Sequence, residues 1–497
     1  MALLEEPISG VKIIKNYVNG EWLESKGEIV DVVNPATGKT IAKVPISTKE
    51  EVDAAVKAAR EAYPDWRRTT PLARTRILFR LKELLEENFE EASRIQTQEH
   101  GKTIDESRGE TRRGIENVEV ACGIPTLMQG YYSEDIATGI DEWVIPTPLG
   151  VFGIIGPYNF PWMIPLWSVP YAVATGNCVV VKPSSEVPIS QMKLAELAEE
   201  AGFPPGVWNV VNGGRTVVNG MLDHPDVVGI TFVGSTPAGR DVIYKRCGET
   251  GKRVIAQCGA KNFMVIMPDC NVDRTIPALM TSFFGNTGQR CLAGANLLIV
   301  GEDDKFYNHF VEKVTEATKK IIIGYGLDES VQMGPVRDKE KKASIMRYIE
   351  IGIQEGAKLR LDGRKDIKIQ GDYPDTCFIG PSIFEDVTPD MQICREEIFG
   401  PVMSVMRANN LDEAINLCNA SNFGNGHAIF TSSGGAARQF QYSVESGNVG
   451  INIGIVAPVA LFPFSGTKDS FFGVLHTQGK EAVRFFTESK VVIQRWF

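Results

Sequence analysis

Apolar positions along this chain recur with two different periods, and the change falls near residue 150. Residues 12–48 read as short strands and turns, with Asn19-Gly20 a hairpin signal between them. Thr48-Lys-Glu-Glu51 is a capping box, and Val52, Ala55, Val56 and Ala59 follow on one helical face. A longer helix is expected over 71–100. Pro71 suits its first turn, Ile77, Leu78, Leu81, Leu84 and Leu85 form its stripe, and Gly101 caps it. A third helix covers about 103–123.

Beyond 150 the pattern becomes one of short, wholly apolar, β-branched runs. These are Val151–Ile155, Cys178–Val181, Val207–Val211 and Val228–Phe232, with helical stretches such as 189–201 between them. Strands buried on both faces and alternating with helices predict a doubly wound, mostly parallel sheet. A second αβ series runs from about 260 to 460, with strands near 263–267, 296–300, 402–406 and 427–430. The fold class expected is α/β. A cofactor domain precedes a catalytic domain, with ligand at the carboxyl ends of the strands.

Composition narrows the function. The chain has 497 residues, enough for two or three domains, and a formal charge of −10 without a basic tail, which disfavours nucleic acid. No charged residue lies between Glu142 and Lys182, but six prolines from Pro146 to Pro170 interrupt that stretch. A membrane span is therefore not expected. The N-terminus lacks a signal-peptide pattern, so a cytoplasmic location is expected. Nine cysteines without ligand spacing and only five histidines give neither a disulfide framework nor a metal site.

Five short motifs carry candidate chemistry. Phe284-Gly-Asn-Thr-Gly-Gln-Arg-Cys291 sets a cysteine in a glycine-bearing loop, where Arg290 would favour the thiolate. Asn159, between Pro157 and Pro161, presents a rigid amide donor suited to an oxyanion. Lys182 ends an apolar strand, where it can hold ribose or phosphate oxygens. Gly234-Ser235 joins a strand to a helix start, a seat for pyrophosphate. Glu396-Glu397 before Phe-Gly-Pro401 offers a carboxylate for a sugar hydroxyl.

Each motif alone has a bland counterpart, such as a buried cysteine or a turn asparagine. In this order and spacing they resemble the aldehyde dehydrogenase superfamily, from Asn34-Pro-Ala-Thr-Gly38 to Phe464-Ser-Gly466. The resemblance implies Cys291 as nucleophile, with Asn159 and the Cys291 amide holding the oxyanion. It implies a nicotinamide cofactor bound by Ile155, Tyr158, Lys182, Ser185, Gly234, Ser235, Glu397 and Phe399. It also implies a Rossmann-like cofactor domain (10–124 and 149–259), a catalytic domain (260–461) and a return segment (462–477). An oligomerisation arm (125–148 and 478–497) would assemble a homodimer or homotetramer, with Val491-Val-Ile493 as an edge strand.

Two departures from the family pattern matter. Hydrolytic members place a water-activating Glu 34 residues before the cysteine, and this chain has Gln257 there. An amide cannot act as a general base. The branch that lacks this Glu and resembles the chain best is the CoA-acylating methylmalonate-semialdehyde dehydrogenases, through Gly259-Ala-Lys-Asn262 and the Phe-Phe-Gly473 motif with Leu475-His476. That resemblance implies coenzyme A as co-substrate and a substrate carboxylate gripped by Arg113 and Arg290. The second departure is Ser185, three residues after Lys182, where NAD-preferring members often carry Glu. It leads to the expectation that NADP serves at least as well as NAD, with Glu186 next door as a tempering carboxylate. Cys258, beside Gln257, is expected to be packing.

Three functions stay open on the sequence. The leading one is an NAD(P)-dependent oxidation of a malonate- or methylmalonate-semialdehyde type substrate, with acyl transfer to CoA. The second is a non-acylating aldehyde dehydrogenase that releases a free acid. The third is an inactive binding protein on the same fold.

Overall fold

The computed structural model describes residues 3–497. Its N-terminal half is organised on an eight-stranded sheet. The strands Arg253–Gln257, Val227–Val233, Val151–Ile155, Cys178–Lys182 and Trp208–Val210 lie side by side in that order and are all parallel. Antiparallel strands close both edges: Phe471–Gly473 on one side, and the hairpin Asn16–Val18/Glu21–Leu23 on the other. Asn19 and Gly20 take positive φ at the hairpin, as the sequence predicts. Val151–Ile155 and Cys178–Lys182 are buried along their whole length. Each such valine contributes about 1.5–3 kcal/mol relative to exposure. The strand order reverses between Val151–Ile155 and Val227–Val233, so a ligand crevice opens at their carboxyl ends.

Helices cover this sheet. Lys49–Arg68 starts at the Thr48 capping box, worth about 1 kcal/mol, and packs beside Arg215–Asp223. The single helix expected over 71–100 is two, Pro71–Glu87 and Phe89–His100. Asn88 leaves helical geometry between them (φ −99°, ψ 12°), and its side chain donates to the Leu84 carbonyl at 2.8 Å. Asparagine competes for backbone partners in this way, and a hydrophobic stripe read by period does not register it. Ile104–Cys122 then runs as expected.

A second, seven-stranded sheet follows. Ser382–Glu385, Val402–Ala408, Gly294–Val300, Asn262–Ile266, Gly426–Phe430 and Asn448–Ile451 are parallel, and Lys358–Leu361 pairs antiparallel at one edge. A three-stranded antiparallel sheet stands apart from both. Ile140–Pro148 is its centre, flanked by Tyr132–Ala137 and Thr487–Arg495. The stretch 478–486, expected in the arm, instead holds the helix Gly479–Phe485. Phe485 and Phe486 pack on Phe152 of the large sheet with ring centroids 5.6 Å and 4.8 Å away. Among the described residues no helix is long and apolar enough to cross a membrane.

Candidate active site

Cys291 lies where two cavities meet. One, of about 330 Å³, runs toward Arg113, Phe160 and Trp167. The other, of about 550 Å³, opens at the strand-order reversal of the large sheet and contains Lys182, Gly234 and Glu397. A thiol at this junction can reach a small molecule in the first and a dinucleotide in the second.

The loop that carries the thiol is tightly wound. Asn286, Thr287 and Gly288 are consecutively left-handed, with φ 50°, 53° and 69°. That conformation is costly for a β-branched residue. Thr287 is held in it by donating to the Gly334 carbonyl at 2.9 Å, and Asn286 N–H donates to Glu106. At Gly288 any side chain would run into the Gly400 carbonyl. Asn262 and Asn425 donate to the Cys291 carbonyl at 2.8 Å and 3.0 Å, which fixes the residue from the other side. Cys291 therefore precedes the strand Gly294–Val300. The second sheet presents its amino ends to the site, while the first presents its carboxyl ends. The expectation of ligand at the carboxyl ends of the strands is corrected for the second sheet. Periodicity locates strands but not which end of a sheet faces a neighbouring sheet.

Arg290 does not activate the thiol. Its guanidinium turns to Glu106 at 3.1 Å and to the Thr281 carbonyl at 3.2 Å. Burial, and next the Glu397 carboxylate, push the partly exposed Cys291 thiol up to about 12. Asn159 is buried, and its side-chain amide donates to the Gln289 carbonyl at 2.9 Å. Two N–H groups on that nitrogen leave one free.

In the larger cleft the Lys182 ammonium is buried and donates to the Pro183 carbonyl and, at 3.1 Å, to the Gly213 carbonyl. One N–H remains free for a ligand. Burial pushes this lysine down to about 8. Glu397 accepts from the Ala260 N–H at 2.8 Å, and burial raises its carboxyl. Ile155, Tyr158, Ser235 and Phe399 also line the cleft. Phe399 has a positive φ of 54° and meets the Tyr158 ring edge-on at 6.1 Å. Ser185 does not line it; its neighbours Ser184 and Glu186 do. The cleft thus has a basic donor, a carboxylate and aromatic walls at a strand-order reversal, which fits a dinucleotide.

In the smaller cavity Arg113 and Arg290 share the wall with Cys291. Each has an acidic companion: Glu116 at 3.0 Å from Arg113, and Glu106 for Arg290.

Comparison with known proteins agrees with this geometry. The model of the aldehyde dehydrogenase family matches residues 22–492. The chain belongs to the aldehyde dehydrogenase family. Malonate-semialdehyde dehydrogenase 2 of Geobacillus kaustophilus (strain HTA426) is 47% identical over 98% of this chain and 100% of its own length. Methylmalonate-semialdehyde dehydrogenase from Oceanimonas doudoroffii superposes with a TM-score of 0.95 at 41% identity, covering 98% of each chain. A protein assigned as methylmalonate-semialdehyde dehydrogenase from Sinorhizobium meliloti 1021, solved as a complex with NAD, also gives 0.95, at 40% identity over 98% of this chain and 99% of that one.

Gln257 stands where the family's hydrolytic pattern has Glu. It is buried and lines neither cavity. Its amide nitrogen donates to the Phe464 carbonyl at 2.7 Å, and its oxygen has no partner. Cys258 is buried under Gly239, and burial pushes its thiol up to about 12, but it also forms part of the wall of the larger cleft, so it is not packing alone. The sequence did not single out Arg337 and Lys341, which enter the cofactor cleft around the start of the helix Lys339–Gln354. Arg337 stacks over Tyr158 at 4.8 Å and pairs with Glu186 at 3.1 Å. In a run as charged as Arg337-Asp-Lys-Glu-Lys341, solvated surface is the default reading, and no local signal separates these two. No local sequence signal marks Lys102 and Glu110, which lie beneath Asn159.

Proposed function

We propose that this member of the family oxidises a carboxylated semialdehyde of the malonate or methylmalonate type through a Cys291 thioester, and passes the acyl group to coenzyme A. The observation that carries this reading is a thiol at the junction of the two cavities, with no carboxylate at position 257 to activate water. Support also comes from Arg113 and Arg290 in the smaller cavity, and from relatives named for such substrates.

Cys291 adds to the aldehyde carbon, its proton leaving to solvent through the cleft. The remaining Asn159 N–H and the Cys291 amide hold the oxyanion that forms. A nicotinamide cofactor bound in the larger cleft would supply the hydride acceptor for this carbon. Lys182 and Glu397 would hold its ribose hydroxyls, and Gly234 and Ser235 would lie against its pyrophosphate. Arg113 and Arg290 orient the substrate by its carboxylate. The CoA thiolate then attacks the thioester, the acyl group moves to CoA and Cys291 is released as the thiolate. A thiolate needs no general base, which accounts for Gln257.

NADP is accepted as well as NAD, because Glu186, the carboxylate that lines the cleft near Lys182, is paired with Arg337 at 3.1 Å. The exposed edge Thr487–Arg495, with Ile493 66% exposed, supports assembly into a homodimer or homotetramer through an arm formed by 125–148 and the C-terminal strand. Nine unpaired cysteines favour a reducing, cytoplasmic setting.

Single-turnover kinetics test the reading. Mixing enzyme, aldehyde and NAD(P) without CoA should give a burst of about one reduced cofactor per site and then stall. Added CoA should restart turnover, and Cys291→Ala should abolish the burst. Steady turnover with no stall in the absence of CoA would refute the transfer step.

A further inference from the structure

Beneath the turn that carries Asn159 lies an ion pair with no solvent exposure on either side chain. Lys102 Nζ is 2.6 Å from Glu110 Oε2. The same ammonium donates to the Asn159 carbonyl at 2.6 Å and sits 4.3 Å from the centre of the Phe160 ring. The other oxygen of Glu110 accepts from the N–H groups of Trp162 and Met163, at 2.9 Å and 3.1 Å. One buried pair thus grips the segment Asn159–Met163 at three backbone points.

Burying two charges is expensive, and a well-packed apolar pair of similar volume is often as stable or more so. What the ion pair provides here is placement. The Asn159 side chain reaches the Gln289 carbonyl, in the loop that carries Cys291. Its own carbonyl is fixed by Lys102, with only a long 3.5 Å contact from Asn286 besides. Asn159 is therefore tied at both ends. Donors to an oxyanion act only when held within about 0.5 Å of the productive position. Phe160 and Glu110 also form part of the wall of the smaller cavity, so the clamp lies directly behind the reacting atoms.

We propose that Lys102, paired with Glu110, is a positioning residue for oxyanion formation. Its ammonium holds the Asn159 main chain so that the free side-chain N–H points at the oxygen of the aldehyde attacked by Cys291. This rests on the reading of Asn159 as an oxyanion donor.

The test is the Lys102→Met/Glu110→Gln double variant, which removes the charges together and keeps an acceptor oxygen for Trp162 and Met163. The expected result is a burst rate of cofactor reduction at least about tenfold lower, the order of a weakened oxyanion donor. Cofactor affinity and the rate of Cys291 alkylation by iodoacetamide should stay within about twofold of the parent, as should aldehyde KM, on the same ground that only the transition state is touched. In an Asn159→Ala background the same double change should alter the burst by less than about twofold, since coupled residues are not additive. A parental burst rate in the double variant overturns the proposal, and so does a full further fall in the Asn159→Ala background. If the double variant does not fold, Glu110→Gln alone is compared in the two backgrounds; a burst equal to the parent's, or a loss that persists without Asn159, again overturns it. Asn159→Ala with an undiminished burst would instead sink the reading of Asn159 itself.

Discussion

Arg113→Gln separates recognition of the substrate carboxylate from the chemistry at Cys291. The Arg113 side chain is 38% exposed and already shares its charge with Glu116 at 3.0 Å. A charge-assisted hydrogen bond is worth about 1.5–3 kcal/mol when well protected. Exposure and the competing Glu116 place Arg113 at or below the lower end, so the loss should be about 1.4 kcal/mol, or tenfold. Arg290 is only 12% exposed and lies beside Cys291, so Arg290→Gln should cost more, about 2–3 kcal/mol. The assay is kcat/KM for malonate semialdehyde against propionaldehyde, which lacks the carboxylate. Arg113→Gln should lower the first about tenfold and leave the second within about twofold. Glu116→Gln, which frees the guanidinium, should raise the first modestly. Equal losses for both aldehydes, or no loss for either, would refute carboxylate recognition at this position.

Further outcomes follow from the same geometry. Gln257→Glu places a carboxyl against the Phe464 carbonyl, where burial favours its protonated form; CoA-independent acid release should rise at least about tenfold at pH 9 and less at pH 7, and no rise at either pH would show that this position cannot reach the water. Glu186→Gln removes one of the two carboxylates on Arg337, which keeps Asp338 at 2.6 Å, so the NADP/NAD ratio of kcat/KM should rise about threefold, the scale of a partly exposed ion pair; an unchanged or lower ratio would argue against Arg337 facing the cofactor. Burial holds Lys182 and Lys341 down to about 8, so part of each is neutral at pH 8. Cofactor phosphates favour the ammonium form, so binding at pH 8 should take up protons, and affinity should fall as pH rises through 8; calorimetry in buffers of different ionisation enthalpy reads this directly, and zero uptake would contradict it.

How far the chain could be read in advance depended on the range of the interactions. Strands and helices set by local period emerged within a residue or two, as with the helix Ile189–Ala201 and the strand Val151–Ile155. The Cys291 loop, the Asn159 turn and Lys182 carry recognisable motifs, and the fold brings all three to one junction. What local pattern could not show depends on distant partners. Arg290 looked like an activator of its neighbour until Glu106, 184 residues earlier in the chain, was seen to take its charge. Lys102 and Asn159 are 57 residues apart, and nothing around Lys102 marks it as buried. Lysine is exposed by default, and only the packed structure reveals the exception. The helix break at Asn88 reflects one side-chain hydrogen bond that an apolar stripe does not encode.

The central claim is that Cys291 hands its acyl group to coenzyme A and not to water. Product identity tests it most directly: the enzyme is incubated with malonate semialdehyde and NAD or NADP, with and without CoA, and the acyl product is identified by mass spectrometry. The account predicts an acyl-CoA and turnover that requires CoA. Free carboxylic acid formed at an undiminished rate without CoA would contradict it.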